Sequence, residues 1–242
     1  STPKPSSAAS DVYKRQVTWE ENEHEIDRNL RLALVLGARI DPSKREPVIS
    51  IDERSRRFAK RFLENLKISD NDLLIGIQIG ASAHWKQWNL DNFAKLCDRL
   101  IEEYKAKVIL LGAPDERDMA KYVSDRMHYV PINAVGKTEV KEAAALIERC
   151  ALFICNDSGL GKISIAIDTP TITIGGPTDL YRTGTWKEGH IDIWKKLPCS
   201  PCYTIGIKGL IKVRSCKDRK CLKLITVDDV IDGVNKLLKR NR

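Results

Sequence analysis

The apolar positions change rhythm near residue 70. Before it they recur at helical spacing: Ile26, Leu30, Ala33 and Leu34 mark an amphipathic helix within Trp19–Leu36, closed by Gly37. Phe58, Phe62, Leu63 and Leu66 form the stripe of a second helix over Asp52–Leu66. Between them a Pro-bearing link, Asp41–Pro47, leads into a strand-like run, Val48–Ile51. After Asp70, short continuous apolar runs alternate with amphipathic segments. Leu73–Ile79, Lys107–Leu111, Tyr129–Ile132, Leu152–Cys155, Thr171–Ile174 and Ile191–Trp194 read as strands. Leu90–Tyr104, Pro114–Arg126, Val140–Arg149 and Leu160–Ile167 read as the helices between them, and a last helix, Val227–Leu238, is expected to pack back on the body. Apolar strands of this kind belong to a parallel sheet covered on both faces. The expected fold is a doubly wound, Rossmann-like α/β domain with its ligands at the carboxyl ends of the strands.

Composition adds exclusions. The chain has 242 residues, 42% hydrophobic and 31% charged, as in an ordinary globular protein. No uncharged apolar run approaches the roughly 18 residues that a bilayer helix needs. Seven cysteines are too few for a small secreted disulfide scaffold, and no signal-peptide pattern is visible, so a reducing, cytoplasmic setting is expected. The net charge of +8 is uneven: residues 195–242 hold 13 Lys+Arg against 4 Asp+Glu, and the first 194 hold 28 against 29. The basic character belongs to the tail.

Residues 1–16 are small, polar and aperiodic, and are expected to be disordered. Asp11–Gln16 resembles the translated end of a transposon-based sequencing adapter, so this stretch is set apart from the fold and the chain is expected to be a C-terminal fragment.

Four strand ends carry residues suited to an anion. Ile79 runs into Gly80-Ala81-Ser82, with Lys86 four residues on; small residues admit a phosphate to backbone N–H groups, though for this segment alone a plain strand-to-helix loop is the favoured reading. Gly112-Ala113-Pro114 precedes Glu116, whose carboxylate suits either a helix dipole or a ribose. Asn156-Asp157-Ser158-Gly159-Leu160-Gly161 joins an apolar strand to a helix; Asp157 or Ser158 can cap that helix, and the glycines let its N-terminus approach a diphosphate. Gly175-Gly176-Pro177-Thr178 is a fourth tight turn at the same edge. Four such loops on one rim point to a nucleotide or phosphosugar.

In the tail, Cys199, Cys202, Cys216 and Cys221 are spaced compatibly with a structural zinc site, with reduced thiols and disulfides as alternatives. Cys97, Cys150 and Cys155 read as core residues. His24, His84, His128 and His190 are scattered, with no metal-ligand spacing.

Four of these blocks, in order, resemble glycosyltransferase family 9, the lipopolysaccharide heptosyltransferases and their relatives: Ile79-Gly80-Ala81-Ser82 with Lys86-Gln87-Trp88, Leu110 to Glu116, Asn156 to Gly159, and Gly176-Pro177-Thr178; Cys199-Ser200-Pro201-Cys202 also recurs in relatives. The resemblance implies the C-terminal half of a two-domain GT-B glycosyltransferase, with residues 17–70 as linker helix and interdomain segment and 71–242 as the nucleotide-sugar domain, its basic four-cysteine tail at 195–225. It implies that Ala81, Ser82 and Lys86 hold the donor diphosphate, that Glu116 and Thr138 line the nucleoside pocket, and that Asp157, Ser158, Gly159, Leu160 and Lys162 meet the diphosphate and sugar. Lys162 stands where the family usually has His, which puts the activity or the sugar in question. The general base would lie in the other domain, leaving no catalytic residue here and no cofactor needed for catalysis.

The implied partners are a nucleotide-diphosphate sugar such as ADP-heptose and a lipid-linked anionic glycan acceptor, with peripheral placement at the inner membrane face. Two other readings stand beside this one: a non-catalytic sugar-nucleotide module, and a zinc-ribbon nucleic-acid binder using the basic tail. Against the latter, Tyr203 is the single aromatic between Pro198 and Leu238, so stacking is poorly supplied and no nucleic-acid partner is expected.

Overall fold

The computed structural model describes residues 17–18, 20, 23–41, 46–203 and 207–240. The expectations for residues 1–16 and for most of the Pro-bearing link lie outside them. The chain divides into two compact units: the described residues up to Pro47 together with Tyr181–Thr183, and Val48–Leu180 with Gly184 onward.

In the first unit, α1 (Glu25–Val35) is capped by the His24 side chain, which accepts the Ile26 N–H. Arg31 holds Glu23 at 2.5 Å and Glu20 at 3.1 Å, and Arg182 donates to Glu25 at 2.7 Å.

The second unit opens with α2 (Glu53–Asn65). Asp52 caps it by accepting the Ser55 N–H at 2.9 Å; this bond and Lys141 bring the Asp52 carboxyl down to about 2. The strands are β1 (Leu74–Gln78), β2 (Lys107–Leu111), β3 (Ile132–Asn133), β4 (Leu152–Asn156), β5 (Thr171–Ile174) and β6 (His190–Ile193). They form one parallel sheet in the order β3-β2-β1-β4-β5-β6. The helices are α3 (Leu90–Tyr104), α4 (Arg117–Ser124), α5 (Val140–Glu148), α6 (Gly159–Ala166), α7 (Leu180–Thr183, which ends in the first unit), α8 (Ile207–Ser215), α9 (Lys220–Lys223) and α10 (Val227–Arg240).

Strand periodicity sorts the core into two layers. Ile75, Ile77, Leu110, Ile154 and Ile172 pack against Phe93, Leu96 and Leu100 of α3, Val123 of α4 and Val230 and Val234 of α10. Leu74, Ile109, Leu111, Phe153 and Cys155 face Ala59 and Leu63 of α2 and Ala143, Leu146 and Ile147 of α5. Each fully buried Ile, Leu or Phe contributes about 1.5–3 kcal/mol. Both faces are covered, which is why these strands lack alternation.

Two expected strands are corrected. Val48–Ile51 forms no strand, with Val48 83% exposed, and only Ile51 reaches the core. Tyr129–Ile132 shortens to Ile132–Asn133, because Val130 is 95% exposed and has no packing partner to reward pairing. The tail folds further than its pattern suggested, into α8 and α9.

Candidate functional site

Strand order reverses direction between β1 and β4, so the loops leaving these strands bound the crevice of the topological switch point. Asn156, the last residue of β4 and fully buried, braces that crevice. Its amide donates to the carbonyls of Ile79 (2.9 Å) and Gly80 (3.0 Å), and its oxygen accepts the Trp88 N–H at 2.9 Å. Both ends of the 80–88 loop are thereby tied to β4. Trp88 is itself buried, donating from its indole to the Ile225 carbonyl at 2.9 Å and packing edge-on to Phe93.

Held this way, the short 3-10 turn His84–Lys86 points Lys86 at the next residue of β4's loop. Lys86 Nζ lies 3.0 Å from Asp157 Oδ2, and Lys162 Nζ lies 3.4 Å from Asp157 Oδ1. Burial alone would raise the Asp157 carboxyl, but the Lys162 and Lys86 ammonium groups outweigh it and hold the carboxyl below the ordinary aspartate range. One carboxylate thus gathers two cations, and the Asp192 carboxylate lies within electrostatic reach of the same Lys162. Lys86 also lies 5.7 Å over the Tyr203 ring.

Ser158 is the N-cap of α6 and turns inward. Its hydroxyl accepts the Gly161 N–H at 3.3 Å and donates to Gln78 Oε1 at 2.5 Å. The first N–H groups of a helix have no intrahelical acceptor. Ser158 answers that of Gly161, so those of Gly159 and Leu160 are the ones a bound anion would meet.

The Gln78 amide lies close enough to the Glu116 carboxylate to favour its charged form, and that carboxylate accepts the Ala113 N–H at 3.3 Å. Burial pushes the Glu116 carboxyl above its ordinary value, and these two groups pull it part of the way back. The carboxylate fits between two glycines: a Cβ on Gly80 or on Gly112 would lie 1.9 Å from one of its oxygens. Glycine is needed at both places for this approach.

The remaining expected residues share the rim. Ala81 is half-buried and Ser82 exposed in the loop after β1, and Thr138 is half-buried in the loop between β3 and α5. That last loop is joined to the Glu116 loop by Arg117, which donates to the Gly136 carbonyl at 2.7 Å, and by the Gly136 N–H to Gly112 O at 2.9 Å. The structure brings all ten expected residues to the carboxyl edge of one sheet. Sequence reasoning missed Gln78 and the bracing role of Asn156. Asp192 also escaped it: this residue, cross-strand from Thr173, accepts the Thr185 N–H at 2.7 Å, and burial pushes its carboxyl up. A polar side chain at or next to the carboxyl end of a strand is the signal these three share.

The four tail cysteines carry free thiols, Cys202 and Cys221 buried and Cys199 exposed. Among the described residues, no three or more His, Cys, Asp or Glu gather closely enough to hold a metal ion, so the four do not form a ready coordination set. Burial, with the neighbouring cysteines, pushes Cys221 up to about 11. Cys97, Cys150 and Cys155 are buried core residues, as expected. A cavity of about 630 Å³ lined by Leu73, Tyr104, Cys150, Ala151, Pro170 and Leu238 opens at the amino ends of the strands, opposite this crevice.

A doubly wound parallel sheet with a crevice at its switch point defines a Rossmann-like domain. The chain belongs to glycosyltransferase family 9 (heptosyltransferase), whose family profile matches residues 4–208. It is 30% identical over 222 residues to lipopolysaccharide heptosyltransferase 3 of Escherichia coli K12, covering 89% of this chain and 60% of that protein. It is 28% identical over 190 residues to lipooligosaccharide heptosyltransferase 2 of Campylobacter jejuni, covering 74% and 56%.

Among solved structures, a family 9 glycosyl transferase from Veillonella parvula superposes with a TM-score of 0.77 at 25% identity, covering 92% of this chain and 62% of that one. The E. coli heptosyltransferase WaaC with ADP shares the fold at a TM-score of 0.61 and 20% identity, covering 95% and 62%. The chain spans about 60% of the length of these relatives. The family resemblance and the fold class drawn from the sequence are both borne out.

Proposed function

We propose that this chain is the donor-binding part of an inverting, metal-independent glycosyltransferase. It would move a heptose or similar sugar from a nucleotide diphosphate, ADP-heptose in kind, to a lipopolysaccharide core or related lipid-linked anionic glycan. The observation that carries the reading is the convergence of Lys86 and Lys162 on Asp157 at the switch point.

A donor diphosphate would bring two negative charges to the crevice that holds Lys86 and Lys162. Charge on its leaving oxygen grows as the glycosidic bond breaks, and Lys86 and Lys162 would offset it. The N–H groups of Gly159 and Leu160 and the loop at Ala81 and Ser82 would cradle the phosphates. Asp157 and Ser158 set that geometry, the first by orienting both ammonium groups and the second by capping α6. Glu116 and Thr138 would line the nucleoside side, and Gln78 would position Glu116 against Ser158. The base that activates the acceptor would belong to the part of the relatives that this chain does not span.

Placement at the cytoplasmic membrane face follows from a lipid-linked acceptor. For Cys199, Cys202, Cys216 and Cys221, which do not gather into a metal-holding group among the described residues, zinc content by elemental analysis decides between a structural zinc and free thiols. A second reading, a sugar-nucleotide module without catalysis, is favoured by Lys162, which an ion pair to Asp157 occupies where the family has imidazole. Calorimetric titration with ADP, ADP-sugar, UDP-sugar and a DNA oligomer tests the proposal. Binding of a diphosphate nucleotide is expected; salt-sensitive DNA binding without any nucleotide response overturns it.

A further inference from the structure

The basic charge concentrates far more sharply than the tail as a whole suggests. Residues 195–226 contain nine Lys+Arg and one acidic residue, Asp218, a net +8 equal to that of the entire chain. The other 210 residues hold 32 of each sign. Much of this charge stands on α8 and the turn after it. Gly209 and Val213, four residues apart, are buried and seat the helix on the domain. Lys208, Ile211, Lys212 and Ser215 recur at i, i+3, i+4 and i+7 and are all exposed, Ile211 to 61%. Beyond them Lys217 is exposed, and Leu224, 48% exposed, adds a second uncovered aliphatic group.

Acidic partners are scarce here. Asp218 pairs with Lys220 and Lys223, and among the described residues Lys208, Lys212, Arg214 and Lys217 face no carboxylate within ion-pair distance. This surface is fixed to the donor rim. Arg214 lies 5.6 Å over the Trp85 ring, and Arg219 donates to the His84 carbonyl at 3.2 Å, on the same short turn that carries Lys86.

A helix with unpaired cations around a protruding aliphatic side chain matches an interfacial element: lysines meet lipid phosphates while the aliphatic group enters the headgroup boundary. Nucleic acid would use the cations alone and leaves Ile211 without a role. We propose that Lys208, Ile211, Lys212, Arg214 and Lys217 form a docking face for an anionic phospholipid bilayer, which holds the Lys86 rim at the membrane surface. The proposal does not depend on the nature of the donor.

The test is co-sedimentation of the chain with vesicles of phosphatidylcholine alone or mixed with phosphatidylglycerol. Binding to the anionic vesicles only, weakened by salt, is expected. Lys212→Glu and Lys217→Glu should each lower it about fivefold or more, and Ile211→Ser should lower it with no change in charge. Lys95→Glu, an equal charge change on α3, should have less effect. Circular dichroism and ADP titration on each variant separate loss of fold and loss of the donor site from loss of docking. The proposal is overturned by absence of binding to anionic vesicles at low salt, by binding indifferent to Lys212, Lys217 and Ile211, or by binding to a DNA duplex in place of vesicles.

Discussion

Lys86 and Asp157, 71 positions apart in the chain, meet at 3.0 Å where β1 and β4 release their loops. The pair is possible because Asn156 bonds both ends of the 80–88 loop, and its surroundings define the site: Lys162 on the other oxygen of Asp157, and Ser158 capping the helix beside it.

Removing the ammonium group of Lys86 should weaken a diphosphate nucleotide directly. Lys86→Ala is expected to raise the Kd for ADP about tenfold or more, since a charge-assisted contact is worth roughly twice a neutral one. Isothermal titration measures it, and an unchanged Kd removes Lys86 from the site.

Acid should loosen the crevice. Asp157 is held below the ordinary aspartate pKa of about 3.9, so its stabilisation is fully present above that value and is lost as pH falls through its lower folded value. Urea unfolding between pH 5 and pH 2 should show stability falling below about pH 4. Asp157→Asn should be less stable at neutral pH and should flatten that part of the slope. An equal slope in both proteins would place the effect elsewhere.

Gln78 joins the two halves of the site. Gln78→Leu leaves the Ser158 hydroxyl short of its buried acceptor, at a cost of about 1–3 kcal/mol, and removes the amide dipole beside Glu116. It should lower the urea midpoint and weaken ADP. Gln78→Glu, which keeps an acceptor for Ser158 but sets a carboxylate against Glu116, should weaken ADP while recovering part of the stability at mildly acidic pH.

Gly112→Ala tests the pocket for Glu116. The new Cβ would fall 1.9 Å from the carboxylate, so Glu116 must leave its place. ADP affinity should fall several-fold while pyrophosphate, which lacks the nucleoside, binds as before. Equal losses for both ligands would mean that Glu116 does not face the nucleoside.

Much of this was legible before the structure. Buried strands with continuous apolar runs and helices with regular stripes announce themselves, and β2, β5 and α3 match their expected bounds to the residue. The position of the rim was legible only from four such loops taken together, since each alone reads equally as a connecting loop or a helix cap. What stayed hidden depends on pairs distant in sequence. Gln78 reads as one polar residue inside an apolar strand, and its meaning arises only once Ser158, 80 residues on, turns toward it. Lys162 read as a departure from the family; the fold shows it sharing the carboxylate that Lys86 also uses. Val48–Ile51 failed for the opposite reason, since local β-propensity without a neighbouring strand earns no pairing.

The central claim, that two lysines gathered by one buried carboxylate receive a donor diphosphate, is tested most directly by titrating ADP-heptose into the chain and into its Lys86→Ala/Lys162→Ala double variant. Saturable binding by the parent chain, weakening with salt and lost in a double variant that remains folded, is the predicted result. The same affinity in both proteins, or no binding by the parent chain at millimolar ligand, would contradict it.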